Sequence, residues 1–180
     1  AGGEQVDLSE ADTALSEMNK GLNVRIGVDN FEDIFRRIQR HGIAVHGEFI
    51  FGFDSDTPEK LRRRSDYIHT SSVDVMEVSL LTPLPGTRLM KRLEEEKRLL
   101  FTDFPRDWDY YDMEQVTFQP ALMTSDELAS VTRECIRRLY SYRSILLKSR
   151  RTLRNTRSPF NAAACLFMNH THGRILKSIY

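Results

Sequence analysis

The stretch EFIFGFDSDTPE, residues 48–59, sets the interpretation of the whole chain. Its apolar run ends at Gly52, an acidic Ser-Asp-Thr-Pro turn follows, and a helix-like segment begins near Pro58. Asp56 or Thr57 offers a side-chain oxygen that can cap this helix, and a proline is tolerated in the first helical turn because its missing N–H needs no partner there. We therefore predict a strand, a turn and a helix in direct succession.

The same alternation continues on both sides of this stretch. Apolar residues at helical spacing predict an amphipathic helix over residues 31–43, and apolar side chains on both faces predict a central strand over 44–52. A helix over 57–70, a strand over 74–81 and a helix over 88–100 follow. Helices and strands that alternate with short connections are typical of parallel sheets. We therefore expect the two strands to be adjacent and parallel, joined by a right-handed crossover.

After residue 100 the alternation stops. Residues 101–123 are aromatic and irregular, with a short strand expected at 115–118. Residues 124–153 predict one long helix, residues 158–180 a final helical segment, and residues 10–23 one more helix at the front. The apolar stripe of the long helix consists of Leu128, Val131, Cys135, Leu139, Tyr142 and Leu146.

Composition places the chain among globular proteins. It has 180 residues, 40% of them hydrophobic, and no apolar run long enough to cross a membrane. The start of the sequence has no signal-peptide pattern and no Met, so we expect a processed product or a piece of something longer. Cys135 and Cys165 lie far apart in apolar contexts, which favours two buried free thiols in a reducing, cytoplasmic compartment.

The charge is distributed unevenly, although the formal net charge is zero. From Leu128 onward Glu134 is the only acid, while basic residues are dense and centre on Arg143, Lys148, Arg150, Arg151, Arg154 and Arg157. A basic tail of this kind suits an anionic surface, either anionic lipid or nucleic acid. The alternative is a solvated helix face, or a face that docks on an acidic part of the same parent protein.

Two turns lie where ligands collect on parallel sheets. GFDSDT, residues 52–57, and TPLPGT, residues 82–87, each follow a predicted strand, and ligands bind at the carboxyl ends of such strands. The missing side chain at Gly52 lets another molecule approach the backbone, and the prolines stiffen the second turn. Together they predict a slot for a flat, polar-edged group, although each alone would be an ordinary strand-to-helix turn.

Trp108 and Tyr110 in the aromatic segment have two interpretations. They are either contacts for a substrate or parts of a packed flap over the end of the sheet. The residue types alone do not decide between the two.

These motifs, in this order, resemble part of a known family. IAVHGEFIFGFDSDTPE, residues 43–59, followed by LLTPLPGTRL, residues 80–89, resembles the last two strands of the radical S-adenosylmethionine (SAM) barrel, most closely in its cobalamin-dependent branch. WDYYDMEQVTFQP, residues 108–120, is similar to the tail that follows the barrel in hopanoid-methylase-like members. LSEMNKGLN, residues 15–23, resembles the helix after the fourth strand. The resemblance covers most of the chain and weakens after about Arg157.

The resemblance implies an α/β fold: a partial parallel (β/α) barrel of the TIM-barrel type, followed by a helical C-terminal extension. Residues 1–100 would form the second half of a radical SAM barrel, residues 101–123 an irregular aromatic flap, and residues 124–180 the helical, basic extension. The resemblance also implies SAM as the ligand of the slot, with Ile50 and Gly52 near the adenine. The second wall would consist of Thr82, Pro83, Leu84, Pro85, Gly86 and Thr87.

The chain also departs from the family pattern. The family holds a 4Fe-4S iron–sulfur cluster on a C-x-x-x-C-x-x-C triplet, and the sequence contains no such triplet. Glu48 stands where the G-x-I-x-G element of the family has its first glycine, and the first barrel strands and an upstream cobalamin domain are not in this sequence. We therefore expect no metal site and no radical reaction from this chain alone, and the resemblance assigns it no catalytic residue.

The expected function is that of a C-terminal fragment of a radical SAM enzyme, with cobalamin-dependent methyl transfer as its specific form. The implied cofactor is SAM, with an iron–sulfur cluster and cobalamin in the full-length protein only. The implied partners are the missing N-terminal half, a small, lipid-like substrate and the inner membrane surface as a peripheral contact, while nucleic acid is not expected. The alternative is a non-catalytic binding module that docks a partner or an anionic membrane surface.

Overall fold

The computed structural model describes residues 25–179, and the helix expected over residues 10–23 lies outside them. The two strands pair in parallel, with Glu48 opposite Glu77, so the predicted adjacent and parallel arrangement is confirmed. The described chain is a mixed α/β fold, mostly helical, with a two-stranded parallel sheet. Its elements are α1 (Arg25–Arg40), β1 (His46–Phe51), α2 (Pro58–Thr70), β2 (Val75–Leu80), α3 (Arg88–Glu95), a 3₁₀ helix (Arg106–Tyr110), α4 (Ser125–Leu139), α5 (Tyr142–Thr156) and α6 (Pro159–Ile179).

Side-chain caps explain where several helices begin. Thr57 accepts a hydrogen bond from the Lys60 N–H at 3.3 Å and so caps α2, with proline in the first turn as predicted. Thr87 caps α3 in the same way. At the start of α4, Thr124 and Glu127 form a capping box in which each side chain accepts from the backbone N–H of the other. A cap of this kind contributes about 1 kcal/mol to helix stability.

One face of the sheet forms the hydrophobic core, because alternate residues of a strand point to opposite sides. Helices α2 and α4 cover this face, whereas His46, Glu48 and Ile50 on the other face, called the open face below, are exposed. Each fully buried large apolar side chain contributes about 1.5–3 kcal/mol. The main members of the core are Phe51, Leu61, Ile68, Met76, Val78, Leu80, Leu128, Val131, Ile136 and Leu139.

The outer edge of β2 is covered by side chains instead of another strand. The Asn169 side chain accepts a hydrogen bond from the Met76 N–H at 3.0 Å and donates one to the Asp74 carbonyl at 2.8 Å. The Tyr140 hydroxyl donates to the Met76 carbonyl at 2.8 Å. Because buried main-chain groups must be paired, α6 and the end of α4 take the place of the next strand here.

The prediction of one long helix over residues 124–153 is wrong. Tyr140 and Ser141 form a turn after α4, and Ser141 caps the new helix α5. The turn directs the Tyr140 side chain into the core, where it is 1% exposed, and lets α5 fold back along α6. As a result Tyr142 and Leu146, which the sequence placed in the buried stripe, are 73% and 59% exposed.

Two cations of the predicted basic tail are used inside the fold. The buried Lys148 ammonium donates to the carbonyls of Ser71 at 3.3 Å and Val73 at 2.9 Å. Burial lowers the pKa of Lys148 to about 8. Arg151 also donates to the Ser71 carbonyl, at 2.6 Å. The expectation that Lys148 faces an external anionic surface is therefore wrong, since α5 uses it to hold the loop before β2.

We expect Asn169→Ala to lower the free energy of unfolding by about 1–3 kcal/mol, because it leaves the buried Met76 N–H without its partner and removes one of the two hydrogen bonds to the Asp74 carbonyl, which keeps the Cys165 thiol. Asn161→Ala on the same helix is the matched control. Its side chain donates one exposed hydrogen bond, to the Gly42 carbonyl at 2.7 Å, so the loss should stay below about 1 kcal/mol. Urea unfolding followed by circular dichroism measures both losses, and equal losses would contradict the role assigned to α6.

Candidate functional site

The turn over residues 52–57 is built around the buried carboxylate of Asp56. One carboxylate oxygen accepts hydrogen bonds from the N–H groups of Gly52 and Phe53, each at 3.0 Å. The Arg64 guanidinium donates to both carboxylate oxygens, at 2.7 and 3.0 Å, and to the Ile50 carbonyl at 2.9 Å. Removing either member of a buried ion pair leaves an uncompensated charge. Asp56 therefore fixes the shape of the turn, and its oxygens are already occupied.

Gly52 is required by the backbone and by core packing. Its φ of +104° lies where side-chain-bearing residues are strained, and a Cβ there would lie 3.1 Å from Cδ2 of Leu128 in α4. The sequence suggested that the glycine lets a ligand approach the backbone. The structure gives a different reason, because a side chain at this position would point toward the core. Ile50, two residues earlier, is 41% exposed on the open face of the sheet.

The turn over residues 82–87 is more exposed than the first. Pro83 is buried, whereas the residues from Leu84 to Thr87 are exposed. Gly86 has a φ of +78°, and a Cβ added there would meet nothing within 4 Å. The Thr82 hydroxyl donates to a backbone carbonyl at the end of β2 at 3.2 Å. The second turn thus presents backbone groups and one apolar side chain, Leu84, to solvent.

The two turns lie side by side at the carboxyl edge of the sheet. The Leu81 N–H donates to the Phe51 carbonyl at 2.7 Å, which joins the starts of both turns. The Asp54 carboxylate pairs with Arg92 of α3 at 2.8 Å and with Arg98 at 2.6 Å. The first turn is therefore tied to the helix that follows the second, and the pair forms one continuous rim.

The open face of the sheet carries polar side chains that the sequence interpretation missed. His46, Glu48 and Ile50 of β1 lie on this face beside Glu77 and Ser79 of β2. The His46 Nε2 atom lies 3.1 Å from a carboxylate oxygen of Glu77. The ligand atoms of His46, Glu48 and Glu77 lie within 4.8 Å of one another and could hold a metal ion, although all three are exposed. The sequence did contain a signal for this face, because alternate residues of a strand point to the same side and positions 46, 48 and 50 therefore share one face.

The aromatic segment packs against itself at the same edge of the sheet. The Trp108 ring stacks on Phe104 with ring centroids 3.9 Å apart, and the Tyr110 ring stacks on Phe101 at 4.1 Å. Both rings remain more than a third exposed. A backbone hydrogen bond of 2.7 Å to the carbonyl of Met113 joins the segment to the last residue of β2. The segment therefore packs on itself and leaves Trp108 and Tyr110 partly exposed.

Comparison with known proteins places the chain in a family. Residues 87–178, about half of the chain, match the model of a family described as a domain of unknown function (DUF4070). The chain belongs to this family.

Curated relatives are longer proteins. The chain is 33% identical to the bacteriochlorophyllide d C-12(1)-methyltransferase of Chlorobaculum tepidum over 114 residues, which are 63% of this chain and 23% of that protein. It is 31% identical to the hopanoid C-2 methylase of Rhodopseudomonas palustris over 134 residues, 74% of this chain and 23% of that protein. An uncharacterized methyltransferase of Pyrococcus horikoshii is 22% identical over 74% of this chain and 28% of its own length.

The aligned regions span about a quarter of the length of these relatives. No solved structure matches the chain. The family match and the first two relatives confirm the resemblance to the C-terminal part of a radical SAM enzyme of the cobalamin-dependent, hopanoid-methylase-like branch.

We expect Gly52→Ala to destabilise the chain more than Gly86→Ala, by about 1–2 kcal/mol. Both substitutions place a side chain at positive φ, but only the one at Gly52 also forces a contact with Leu128. Thermal unfolding of the two variants beside the unmodified chain measures the difference. Equal destabilisation would show that packing against α4 does not explain the glycine.

Proposed function

We propose that this chain is the C-terminal part of a larger radical SAM methylase and supplies one side of its SAM and substrate site. The observation that carries the proposal is the pair of neighbouring turns at the carboxyl edge of two parallel strands. The chain's relatives are named as a methyltransferase and a methylase, which supports the reaction class. SAM supplies the reactive group in such enzymes, while the protein positions the reactants and excludes water.

The described residues fit one side of SAM. Ile50 offers an exposed apolar surface for the flat adenine, and Gly52 shapes the turn beside it. The exposed Gly86 can offer its N–H and C=O groups to the polar edges of the ring, whereas the Leu84 carbonyl already accepts hydrogen bonds from Thr87. The carboxylates of Glu48 and Glu77 can accept hydrogen bonds from hydroxyl or ammonium groups of a bound ligand. The second wall in this proposal comprises Thr82, Pro83, Leu84, Pro85, Gly86 and Thr87.

An iron–sulfur cluster does not fit this chain. Its two cysteines, Cys135 and Cys165, are free and buried in the core, as the sequence predicted. Burial raises the pKa of both thiols, which disfavours the thiolate form that iron binds. Two such thiols cannot replace a three-cysteine ligand set. We therefore assign the cluster, and the cobalamin of this branch, to the rest of the parent enzyme.

The strand edges indicate where the rest of a barrel would join. The outer edge of β2 is covered by Asn169 and Tyr140, whereas within residues 25–179 no strand pairs with the outer edge of β1. In a parallel pair, each strand bonds its neighbour through the N–H and C=O groups of every second residue. The N–H and C=O groups of His46 and Glu48 therefore point toward the outer edge of β1. Upstream strands would therefore pair with β1, and β2 would be the last barrel strand. The proposed units are a partial barrel over residues 1–100, a flap over residues 101–123 and a helical extension over residues 124–180.

The substrate class follows from the flap and the relatives. The two most similar relatives described above are named for a bacteriochlorophyllide and a hopanoid, which are large polycyclic molecules with extended apolar surfaces. Trp108 and Tyr110 are 37% and 38% exposed, in the segment that a hydrogen bond from Leu80 to the Met113 carbonyl joins to the end of β2. We assign them as contacts for a lipid-like substrate, because exposed aromatic faces bind apolar rings well.

The test uses the parent enzyme with its upstream half restored. Ile50→Ala should weaken SAM binding by about tenfold in isothermal titration calorimetry, because it removes the apolar surface under the adenine. Leu122→Ala, at another exposed apolar position in the flap, is the matched control and should leave SAM affinity unchanged. If the restored enzyme binds no SAM, the proposed function is wrong. If the restored enzyme and its Ile50→Ala variant bind SAM equally well, only the placement of the site is wrong.

We assign the peripheral membrane contact to α5 and α6 together. Phe160 and Phe167 lie seven residues apart on α6 and are 79% and 71% exposed, and Leu146 and Leu153 have the same spacing on α5. Residues seven apart share one helix face, and from Cys135 onward the sequence has no acid. An exposed apolar face among cations is typical of helices that lie on anionic bilayers. Within the described residues, no helix is long and apolar enough to span a bilayer.

Phe160→Ser combined with Phe167→Ser should reduce co-sedimentation of the chain with anionic vesicles at low salt, because it removes apolar surface that would enter the bilayer interface. Leu100→Ser combined with Leu122→Ser changes two exposed apolar side chains elsewhere and serves as the control. Retained binding in the first variant, or an equal reduction in both, would contradict the contact.

A further inference from the structure

A basic cavity lies where the C-terminal ends of α1 and α5 meet. Its volume is about 450 Å³, and it is lined by Arg36, Arg40, Arg154, Asn155 and Arg157. This volume falls within the range of small-molecule sites, about 300–1,000 Å³. Because α1 leads into the start of β1, the cavity lies toward the amino end of the sheet. It shares no residue with the two turns at the carboxyl end.

One wall of the cavity is fixed by a buried network. The Asn155 side chain donates to the side-chain carbonyl of Gln39 at 2.9 Å. Gln39, which is fully buried, donates to the Ser72 carbonyl at 2.6 Å and to the Asp74 carboxylate at 2.8 Å. α1 and α5 are therefore held together next to the cavity, and the arginines project from a rigid base.

The arginines of the cavity have few anionic partners. Arg36 lies 4.0 Å from a carboxylate oxygen of Glu32. Both Glu32 oxygens also accept from the backbone N–H of Ser72, at 2.9 and 3.1 Å. The remaining three, Arg40, Arg154 and Arg157, form no ion pair with any carboxylate within residues 31–179.

The two helix ends alone do not balance this charge. A helix C-terminus carries about half a negative elementary charge. Two such ends, together with Glu32, supply about two negative charges against the four guanidinium groups. About two positive charges therefore remain on the exposed guanidinium groups that line this one cavity. The two helix C-termini alone offset about a quarter of this positive charge, and the helix ends together with Glu32 offset about half of it.

We propose that this cavity binds a phosphate group that carries about two negative charges. Guanidinium groups match phosphate oxygens with planar, charge-assisted hydrogen bonds. The Asn155 amide has a second N–H that can donate to the same ligand. The ligand is a phosphate monoester or a diphosphate, either free in solution or displayed as the headgroup of a lipid. This site is independent of the proposed SAM site, because it requires neither the upstream half nor the two turns.

The test titrates the chain with inorganic pyrophosphate in a buffer of about 0.1 M chloride, where the Debye length is about 10 Å, and follows the heat of binding. We expect one site per chain, and we expect the combined variant Arg40→Gln, Arg154→Gln and Arg157→Gln to bind at least tenfold more weakly. The control combines Arg63→Gln, Arg133→Gln and Lys91→Gln, which remove the same formal charge from exposed positions outside α5 and α6. The control should keep its affinity within about twofold, because remote exposed charges are largely screened.

A second arm separates the two sources of phosphate. The same three proteins are sedimented with phosphatidylcholine vesicles that do or do not contain phosphatidic acid. If the chain binds phosphatidic acid vesicles but not pyrophosphate, and the variant of the three cavity arginines loses this vesicle binding, the ligand of the site is a lipid headgroup. No binding to either probe, or equal losses in the two triple variants, overturns the site. Circular dichroism checks that each variant is folded. If the triple variant of the cavity arginines is unfolded, the single variant Arg40→Gln replaces it, and we expect a partial loss of pyrophosphate affinity.

Discussion

The hydrogen bonds of Asn169 with the main chain of β2 hold the two halves of the structure together. A strand with an uncovered edge needs a partner for its N–H and C=O groups, and here that partner is a helix side chain. Bringing α6 against β2 also brings α5 into place, since α5 and α6 pack on each other. Lys148 of α5 then holds the loop that precedes β2. The C-terminal helices are therefore part of the same core as the strands.

Two buried aspartates organise the opposite ends of the sheet. Asp56 binds Arg64 and two backbone N–H groups at the carboxyl end. Asp74 accepts from Gln39, from the Val45 N–H and from the Thr152 hydroxyl at the amino end. Each carboxylate rigidifies the segment from which a proposed site is built: the rim of the SAM site at one end and the base of the basic cavity at the other. Preorganised segments lose less entropy when a ligand binds.

Local signals made the strand–turn–helix order predictable. Thr57 and Pro58 mark the start of α2, and the alternation of helices and strands with short connections predicts a parallel pair of strands. Neither signal depends on residues that are distant in the sequence. The break at Tyr140 was not predictable, because neither glycine nor proline marks it. A hydrogen bond to Met76, 64 positions away, accompanies it. The open sheet face was missed because apolar residues on both sides of β1 suggested a central strand, while burial depends on which elements cover each face. Lys148 was misjudged for the same reason.

The unequal edges of the sheet limit how the chain can associate. Within the described residues, β2 is covered on its outer side, and β1 is the strand whose outer edge has no strand partner. Growth of a fibril by strand addition needs two free edges in every subunit, one to receive a strand and one to offer the next. A unit with one free edge forms a single pair, in which both partners use the edge they have. In the isolated chain, self-association through the sheet edges that the structure describes would therefore stop at a dimer.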